Sequence, residues 1–508
     1  MAQRHNFPSI CIALGFTQPE LLLRYARQEV ESGERFLEIR LDYLPVPEQG
    51  LKIVRTLLKE SPDCTILATC RRHQNGGRFN GGVEEQMHLL EAAVEEGARA
   101  VDVEIETAET TIPVIEMLRS KCRVVISYHN YTGTPALDSV LRRLARVPAD
   151  VYKIVTTARK PSDNMRVLNL ARTHGRLPLV VLSMGESGFP TRVLSTLCGG
   201  LYTYAAPLAT GGTAAGQVSA HALRHLYRCE KISRNAKIYG VIADPVCHSI
   251  SPAVHNRAFQ AKRLDAVYLP FLVHPGQLKD FFELADKLPV AGFSVTIPHK
   301  QKVLRYLDIV DPLARRIGAV NTVWRKAGKW RGTNTDVPGI VEPLARHLRL
   351  AKSTILLVGN GGAARGAAFA LTDAGAKLAI VGRNVDRVRA LAKACDAEPL
   401  SMEQVRARHF DALVHATPVG MFPKVNECIF PDAIPADVVF DMVYNPLETM
   451  LLKRARAQGK AVVTGMSMFL EQAVHQFEIW TGESAPRSVM ERAGIEALSH
   501  CADGGSSK

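Results

Sequence analysis

The strongest constraint on what this chain can fold into is a beat repeated through its first two hundred residues. Eight short apolar, β-branched runs, at 9–14, 36–41, 64–70, 100–105, 123–127, 151–156, 179–183 and 201–205, alternate with polar amphipathic stretches. Short apolar strands alternating with helices imply a parallel sheet buried on both sides. Eight units are what a closed (β/α)8 TIM barrel needs, and an open doubly wound sheet is the competing architecture.

The beat then changes. Residues 217–227 read as a helix, 228–235 as a charged linker, and an apolar run at 237–242 opens a second half. Within that half a Gly-rich turn at Gly359 stands between the apolar run 354–358 and a helical stretch from about Ala363, the strand–turn–helix order of a dinucleotide lobe. The expected organisation is an α/β chain: a barrel over 1–228, a linker over 229–235, and a two-lobed α/β unit over 236–502. Its substrate lobe spans about 236–337 plus C-terminal helices at about 466–502, and its Rossmann lobe spans about 338–465. Disorder is expected only in the tail 502–508.

Composition narrows the function classes. At 46% hydrophobic and 22% charged residues the chain is globular. No apolar stretch reaches the ~18 to 20 residues of a membrane span, and residues 1–7 lack a secretory h-region, so a cytoplasmic protein is expected. The ten cysteines show neither a Cys-x-x-Cys pair nor zinc spacing, which predicts reduced thiols and no metal. The net charge of +13 comes from dispersed Lys and Arg, never a block of five, which points to small anionic ligands and away from nucleic acid. No obligate protein partner is expected.

Barrel chemistry sits at the C-terminal ends of the strands, so ionisable residues within or just after the apolar runs are the informative ones. Glu38 and Arg40 lie two apart and share a strand face; Arg71 follows the third run, His129 ends the fifth, and Lys153 interrupts the sixth. Arg192, Thr213 and Gln217 come later. An amine buried among Val151, Ile154 and Val155 is expected to be uncharged and therefore a nucleophile toward a ketone, with His129 as the base for the adjacent carbon. The bland alternative is a structural pair between Lys153 and a barrel carboxylate such as Glu104.

These motifs resemble type I 3-dehydroquinate dehydratase over about residues 9–219. The resemblance implies that Lys153 forms an imine with 3-dehydroquinate and that His129 acts as base and then acid. It gives Glu38, Arg40, Arg71, Arg192, Thr213 and Gln217 to the substrate's carboxylate and hydroxyls. One position departs: Asn75 stands where the family usually has a glutamate before paired glycines. Asn75 cannot supply a charge to orient or tune His129, so either Glu84 or Glu104 compensates or the dehydratase is slower.

The second half carries His248-Ser249-Ile250-Ser251-Pro252, Thr296-Ile297-Pro298-His299-Lys300, Gly318-Ala319-Val320-Asn321-Thr322 and Asn334-Thr335-Asp336. Singly these are turns, caps or a surface lysine. In this order they resemble shikimate dehydrogenase over about 238–482, which implies Ser249, Ser251, Thr296, Asn321, Tyr444 and Gln472 as substrate contacts and Lys300 with Asp336 as the catalytic pair. The cofactor loop Gly359-Asn360-Gly361-Gly362-Ala363 permits close approach of a pyrophosphate. Arg383 and Asn384 follow the next strand, where NAD-selective domains keep an acid, so NADP is expected. Thr417, Gly465 and Met466 are expected to wall the nicotinamide pocket. Fusion of the two activities in this order resembles the bifunctional enzymes of plants and some bacteria, acting on 3-dehydroquinate and then 3-dehydroshikimate. A quinate-specific reductase, an inactive barrel beside a live reductase, and a non-catalytic metabolite sensor are the alternatives.

Overall fold

The computed structural model describes residues 7–208 and 212–503. The expected disordered tail begins inside the last described helix, Arg487–Asp503, and otherwise lies outside the described residues. Two compact units emerge: the chain up to Ile238 together with Asp265–Pro289, and Tyr239–Leu264 together with the chain from Val290 onward.

The first unit is built on eight strands: β1 (Ile10–Leu14), β2 (Phe36–Arg40), β3 (Thr65–Thr69), β4 (Ala100–Glu104), β5 (Arg123–His129), β6 (Val151–Thr157), β7 (Leu179–Met184) and β8 (Thr203–Ala205). Their order is β7-β6-β5-β4-β3-β2-β1-β8, with every neighbouring pair parallel. Between β7 and β8 the backbone bond from Leu201 N to Leu179 O at 2.8 Å brings the barrel close to closure. The open-sheet alternative is therefore set aside.

Period-two alternation sorts the barrel interior into layers. Phe36, Leu67, Ala100, Val125 and Val151 join Tyr202 in an apolar layer at the N-terminal end. Two residues further along the same strands come Glu38, Thr69, Asp102, Ser127 and Lys153, all buried. Two further still come Arg40, Arg71, Glu104 and His129 at the strands' C-terminal ends. An apolar floor thus supports a charged layer, which is tolerable only because its members pair with one another.

After β8 the chain departs from the expected helix over 217–227. Ala206 N donates to Val218 O and Ala206 bridges Ser219, so the first residues are held as extended backbone, and the helix runs only over 220–226, its π-helical part Ala222–Leu226 closed by Tyr227 N on Ala222 O at 3.0 Å. The linker is not a free tether either: Cys229 and Ile232 are buried, and Arg224 pairs with Glu34 at 2.8 Å and with Glu230.

The segment Asp265–Pro289, which the sequence reading assigned to the second half, groups with the barrel. The reason is visible in its polar contacts. Asp280 accepts from Ser162 N and Ser162 Oγ at the start of the helix Pro161–Thr173, and Gln277 Nε2 donates to Arg159 O.

The second unit holds two sheets. In the first, β9 (Lys237–Ala243), β11 (Val290–Val295), β13 (Thr322–Lys326), β14 (Lys329–Thr333) and β12 (Ile309–Val310) are successive neighbours; β10 (Ala266–Leu272) lies in the segment just described. The C-terminal helix Gly465–Thr481 returns to this sheet: Trp480 Nε1 donates to Val323 O and Ser294 Oγ donates to Gln476 Oε1. The other sheet is fully parallel, in the order β17 (Glu398–Pro399), β16 (Lys377–Val381), β15 (Thr354–Val358), β18 (Phe410–His415), β19 (Ala436–Asp441), β20 (Ala461–Val463). Ile355 and Leu357 face one hydrophobic core while Leu356 and Val358 face another, so this sheet is covered on both sides as a Rossmann lobe requires. Among the described residues no helix is long and apolar enough to cross a membrane. The nine cysteines with described side chains are all free.

Candidate active sites

A cavity of about 410 Å³ opens at the C-terminal end of the barrel. Glu38, Arg40, Arg71, His129, Lys153, Arg192, Thr213 and Gln217 all line it, so the eight barrel residues singled out from sequence converge on one space.

Lys153 is not lodged in the apolar setting expected for it. Its Nζ donates to Asp102 Oδ2 and to Tyr204 OH, both at 2.8 Å, and lies 3.6 Å from Glu38 Oε1. The expected desolvation of a lone amine is thus replaced by a buried ion pair, and its partner is Asp102, not Glu104. Asp102 also accepts from Arg71 Nη2 at 3.0 Å and Ser127 Oγ at 2.6 Å. Burial alone would raise its carboxyl, but Lys153 and Arg71 outweigh that and hold it far below the usual range. His129, on the strand beside Lys153, is pushed well below the ordinary imidazole value by burial and by the charges of Arg71 and Lys153, against the opposing pull of Asp102. It is therefore a neutral imidazole at neutral pH.

The three cavity arginines differ in what they have left to offer. Arg40 forms a two-pronged pair with Asp42, at 2.9 and 2.8 Å, and Arg71 is bound to Asp102. Arg192 is 2% exposed and has no acidic partner among the described residues; its Nη2 donates to Ala215 O at 3.1 Å and its Nε has no partner. Burial without a counter-charge pushes it down to about 10. A fully buried, unpaired guanidinium at a cavity wall is a site prepared for a carboxylate. The same Ala215 carbonyl accepts from Gly185 N, which anchors the loop carrying Thr213 and Gln217; Gln217 Oε1 accepts from Ala214 N.

Asn75 donates to Glu104 Oε1 at 3.2 Å, and Glu104 is further occupied by Gln86. The carboxylate whose charge reaches His129 is Asp102. Sequence reasoning passed over Asp102 and Tyr204. Asp102 had a signal, an acid inside an apolar strand and in phase with Glu104, whereas an aromatic in strand eight reads simply as core.

In the second unit, Lys300 Nζ donates to Asp336 Oδ2 at 2.6 Å, and Asn321 Nδ2 donates to Asp336 Oδ1 at 2.8 Å. Asn321 is itself fixed, its Oδ1 accepting from Thr322 Oγ1 and Thr335 N. Ser249 Oγ accepts from Ser251 N at 3.3 Å in the loop after β9. Thr296 follows β11, and its N donates to Ile242 O, so both loops leave the sheet at the same edge. Tyr444 packs on Phe469 with ring centroids 5.5 Å apart, and Gln472 donates to Phe469 O. One turn beyond Gln472, Gln476 donates to Thr322 Oγ1, a contact the sequence did not disclose.

The cofactor turn has the geometry of a phosphate cradle. Gly359 has φ +130, and a Cβ there would meet Ala416 O at 2.8 Å. Gly361 and Gly362 face open space at the start of the helix Gly362–Asp373, whose N-cap offers no side chain to its free N–H groups. Asn360 Nδ2 donates to Asn384 O, and Asn384 caps the helix Val385–Ala394. Arg383 is exposed. These groups fit a pyrophosphate and a ribose phosphate. Gly465 lies against Val443 O, and the Met466 side chain packs with Ile250 and Leu498.

Fold and sites together define a two-headed α/β enzyme, a barrel with a buried lysine joined to a dinucleotide-binding oxidoreductase. The type I 3-dehydroquinase family matches residues 10–234, the shikimate dehydrogenase substrate-binding domain 241–323, the shikimate/quinate 5-dehydrogenase family 343–420, and the shikimate 5'-dehydrogenase C-terminal domain 465–493. The chloroplastic bifunctional 3-dehydroquinate dehydratase/shikimate dehydrogenase of Arabidopsis thaliana is 37% identical over 90% of this chain and 79% of its own length. The shikimate biosynthesis protein AroDE of Chlamydia pneumoniae is 33% identical over 75% of this chain and 78% of its own. A shikimate dehydrogenase crystallised with NADP+ superposes with a TM-score of 0.50 at 36% identity, covering 53% of this chain and 97% of its own. The chain belongs to the family of bifunctional 3-dehydroquinate dehydratase/shikimate dehydrogenases.

Proposed function

We propose that the barrel dehydrates 3-dehydroquinate through an imine on Lys153, and that the second unit reduces the resulting 3-dehydroshikimate to shikimate with NADPH through Lys300 and Asp336. In the barrel, the Lys153 ammonium gives up a proton to the ketone oxygen, its freed amine attacks the carbonyl carbon, and the oxygen departs as water with a second proton from that nitrogen, leaving an iminium whose positive charge acidifies the neighbouring carbon. His129 removes that proton, then returns it to the departing hydroxyl, which leaves as a second water. Hydrolysis of the conjugated imine frees the enone and the amine. The carrying observation is the cavity that joins Lys153, an unprotonated His129 and the unpaired Arg192. Arg192 would take the substrate carboxylate; Glu38, Arg40, Arg71, Thr213 and Gln217 would meet its hydroxyls.

NADPH, when bound, supplies the hydride. Lys300 stabilises the charge growing on the carbonyl oxygen and delivers a proton to it, and Asp336, steadied by Asn321, keeps the ammonium aimed. Ser249, Ser251, Thr296, Tyr444 and Gln472 complete the substrate pocket. Gly359, Asn360, Gly361, Gly362 and Ala363 would hold the pyrophosphate, Arg383 and Asn384 the 2′-phosphate, and Thr417 with Gly465 and Met466 the nicotinamide side. The functional division at 229–235 follows, and the free cysteines suit a reducing cytoplasm.

Borohydride with 3-dehydroquinate tests the first half: peptide mass mapping is expected to find a reduced adduct on Lys153, and an unmodified Lys153 rules the imine out. A coupled assay with 3-dehydroquinate and NADPH tests the pair, since enone formation without NADPH loss would leave the second unit without its assigned role.

A further inference from the structure

A buried polar chain in the Rossmann lobe is used by none of this chemistry. His415 closes β18 and Asp441 closes β19, in register with one another, and they are 1% and 0% exposed. His415 Nδ1 faces Asp441 Oδ1 at 2.9 Å, and its Nε2 faces Thr417 Oγ1 at 2.5 Å. Asp441 is held from two more sides: Oδ2 accepts from Thr449 Oγ1 at 2.6 Å and Oδ1 from Val443 N at 3.0 Å.

Counting donors gives the chain a direction. Asp441 takes a hydroxyl and an N–H, the pattern of an acceptor-only carboxylate, so the imidazole proton belongs on Nδ1. In the neutral imidazole Nε2 is then a lone pair, and the Thr417 hydroxyl hydrogen is committed to it. Val419 N approaches Thr417 Oγ1 at 3.3 Å and occupies one of its lone pairs. One lone pair is left, so Thr417 can only accept.

Position says what it accepts from. The sheet changes winding between β15 and β18, and the crevice at that switch is where a dinucleotide lies. Thr417 is partly exposed there, across from the glycine turn: a Cβ on Gly359 would come within 3.2 Å of its Cγ2. Arg383 follows β16, on the other side of the switch. A dinucleotide with its 2′-phosphate at Arg383 lays its other nucleoside over β18. We propose that Asp441 and His415 are positioning residues that lock Thr417 as a hydrogen-bond acceptor for an N–H or O–H donor on the nicotinamide-riboside half of the cofactor. This rests on the NADP reading of the lobe.

The full-length enzyme tests it, with its own dehydratase rate as the control for folding. Thr417→Val is expected to raise the KM for NADPH by about tenfold, the size of one lost hydrogen bond, with kcat and the KM for 3-dehydroshikimate little changed. His415→Phe frees the hydroxyl to rotate and is expected to raise the same KM by about two- to fivefold, and the double variant is expected to match Thr417→Val alone. Multiplying effects in the double variant, or a silent His415→Phe beside an impaired Thr417→Val, would overturn the positioning role while leaving NADP binding intact. A silent Thr417→Val would instead remove the residue from the cofactor site. Binding of 2′,5′-ADP, which lacks the nicotinamide riboside, should be equal in wild type and Thr417→Val; a loss there would put Thr417 on the wrong half. With the 3-acetylpyridine analogue, disappearance of the Thr417→Val defect identifies the carboxamide N–H as donor, and persistence identifies a ribose hydroxyl. In 15N spectra, His415, assigned by its absence in His415→Phe, should show one protonated and one bare ring nitrogen. Two protonated nitrogens would reverse the hydrogen bond and sink the proposal.

Discussion

Asp102 holds two cations at once, Lys153 through Oδ2 and Arg71 through Oδ1. Asp102→Asn keeps the shape but takes the shared carboxylate from both buried cations, leaving Lys153 only the longer pair with Glu38 at 3.6 Å, which costs about 3–5 kcal/mol for a broken buried pair. Calorimetry should record a clear fall in the barrel's melting temperature together with loss of dehydratase turnover; an unshifted transition would mean that the pair contributes little. His129 gives a pH signature. Because its folded value lies below the ordinary 6.5, the base form persists as the medium is acidified, so the acid limb of dehydratase kcat/KM is expected below pH 6.5. A limb centred at or above 6.5 would contradict that. At this scale the sequence was legible wherever a charge interrupted an apolar strand, as with Lys153, or followed one, as with His129 and Arg71. It was silent about pairing, because which acid meets Lys153 depends on strand neighbours far apart in the chain: Asp102 lies fifty-one residues away.

Elements with a strong period were readable and those fixed by a few long-range bonds were not. All eight barrel strands fall on the apolar runs, since burial on both faces leaves a continuous signal. The helix expected over 217–227 starts only at residue 220, because Ala206 captures the backbone of Val218, which no local pattern announces. The turn at Gly359 was recognisable by its glycines, and the structure adds why the first is required: φ +130 is a left-handed conformation, and a methyl group would strike Ala416 O. Gly359→Ala is expected to cut the reductase kcat/KM for NADPH at least about tenfold while the dehydratase rate stays unchanged. Unaltered NADPH kinetics would show that the turn tolerates the change.

For the molecule as a whole, acid is expected to be destabilising well before the carboxylates titrate. His129 is held below the ordinary imidazole value and His255 is pushed down to about 3 by burial. Between about 6.5 and those lower values the unfolded chain binds protons that the folded chain refuses, so stability falls as pH drops through that window. Melting temperatures compared at pH 7.5 and pH 5 check the sign. Asp102, displaced downward, adds its own loss only below about 3.8. A change of rhythm near residue 230 was visible in the sequence, but the grouping of Asp265–Pro289 with the barrel was not, because it depends on contacts such as Asp280 with Ser162. Finally, a guanidinium as isolated as Arg192 does not discriminate finely among small oxyanions. Phosphate or sulfate in the assay medium will compete with the natural substrate for it, so dehydratase velocities should be higher in amine buffers than in phosphate at equal ionic strength.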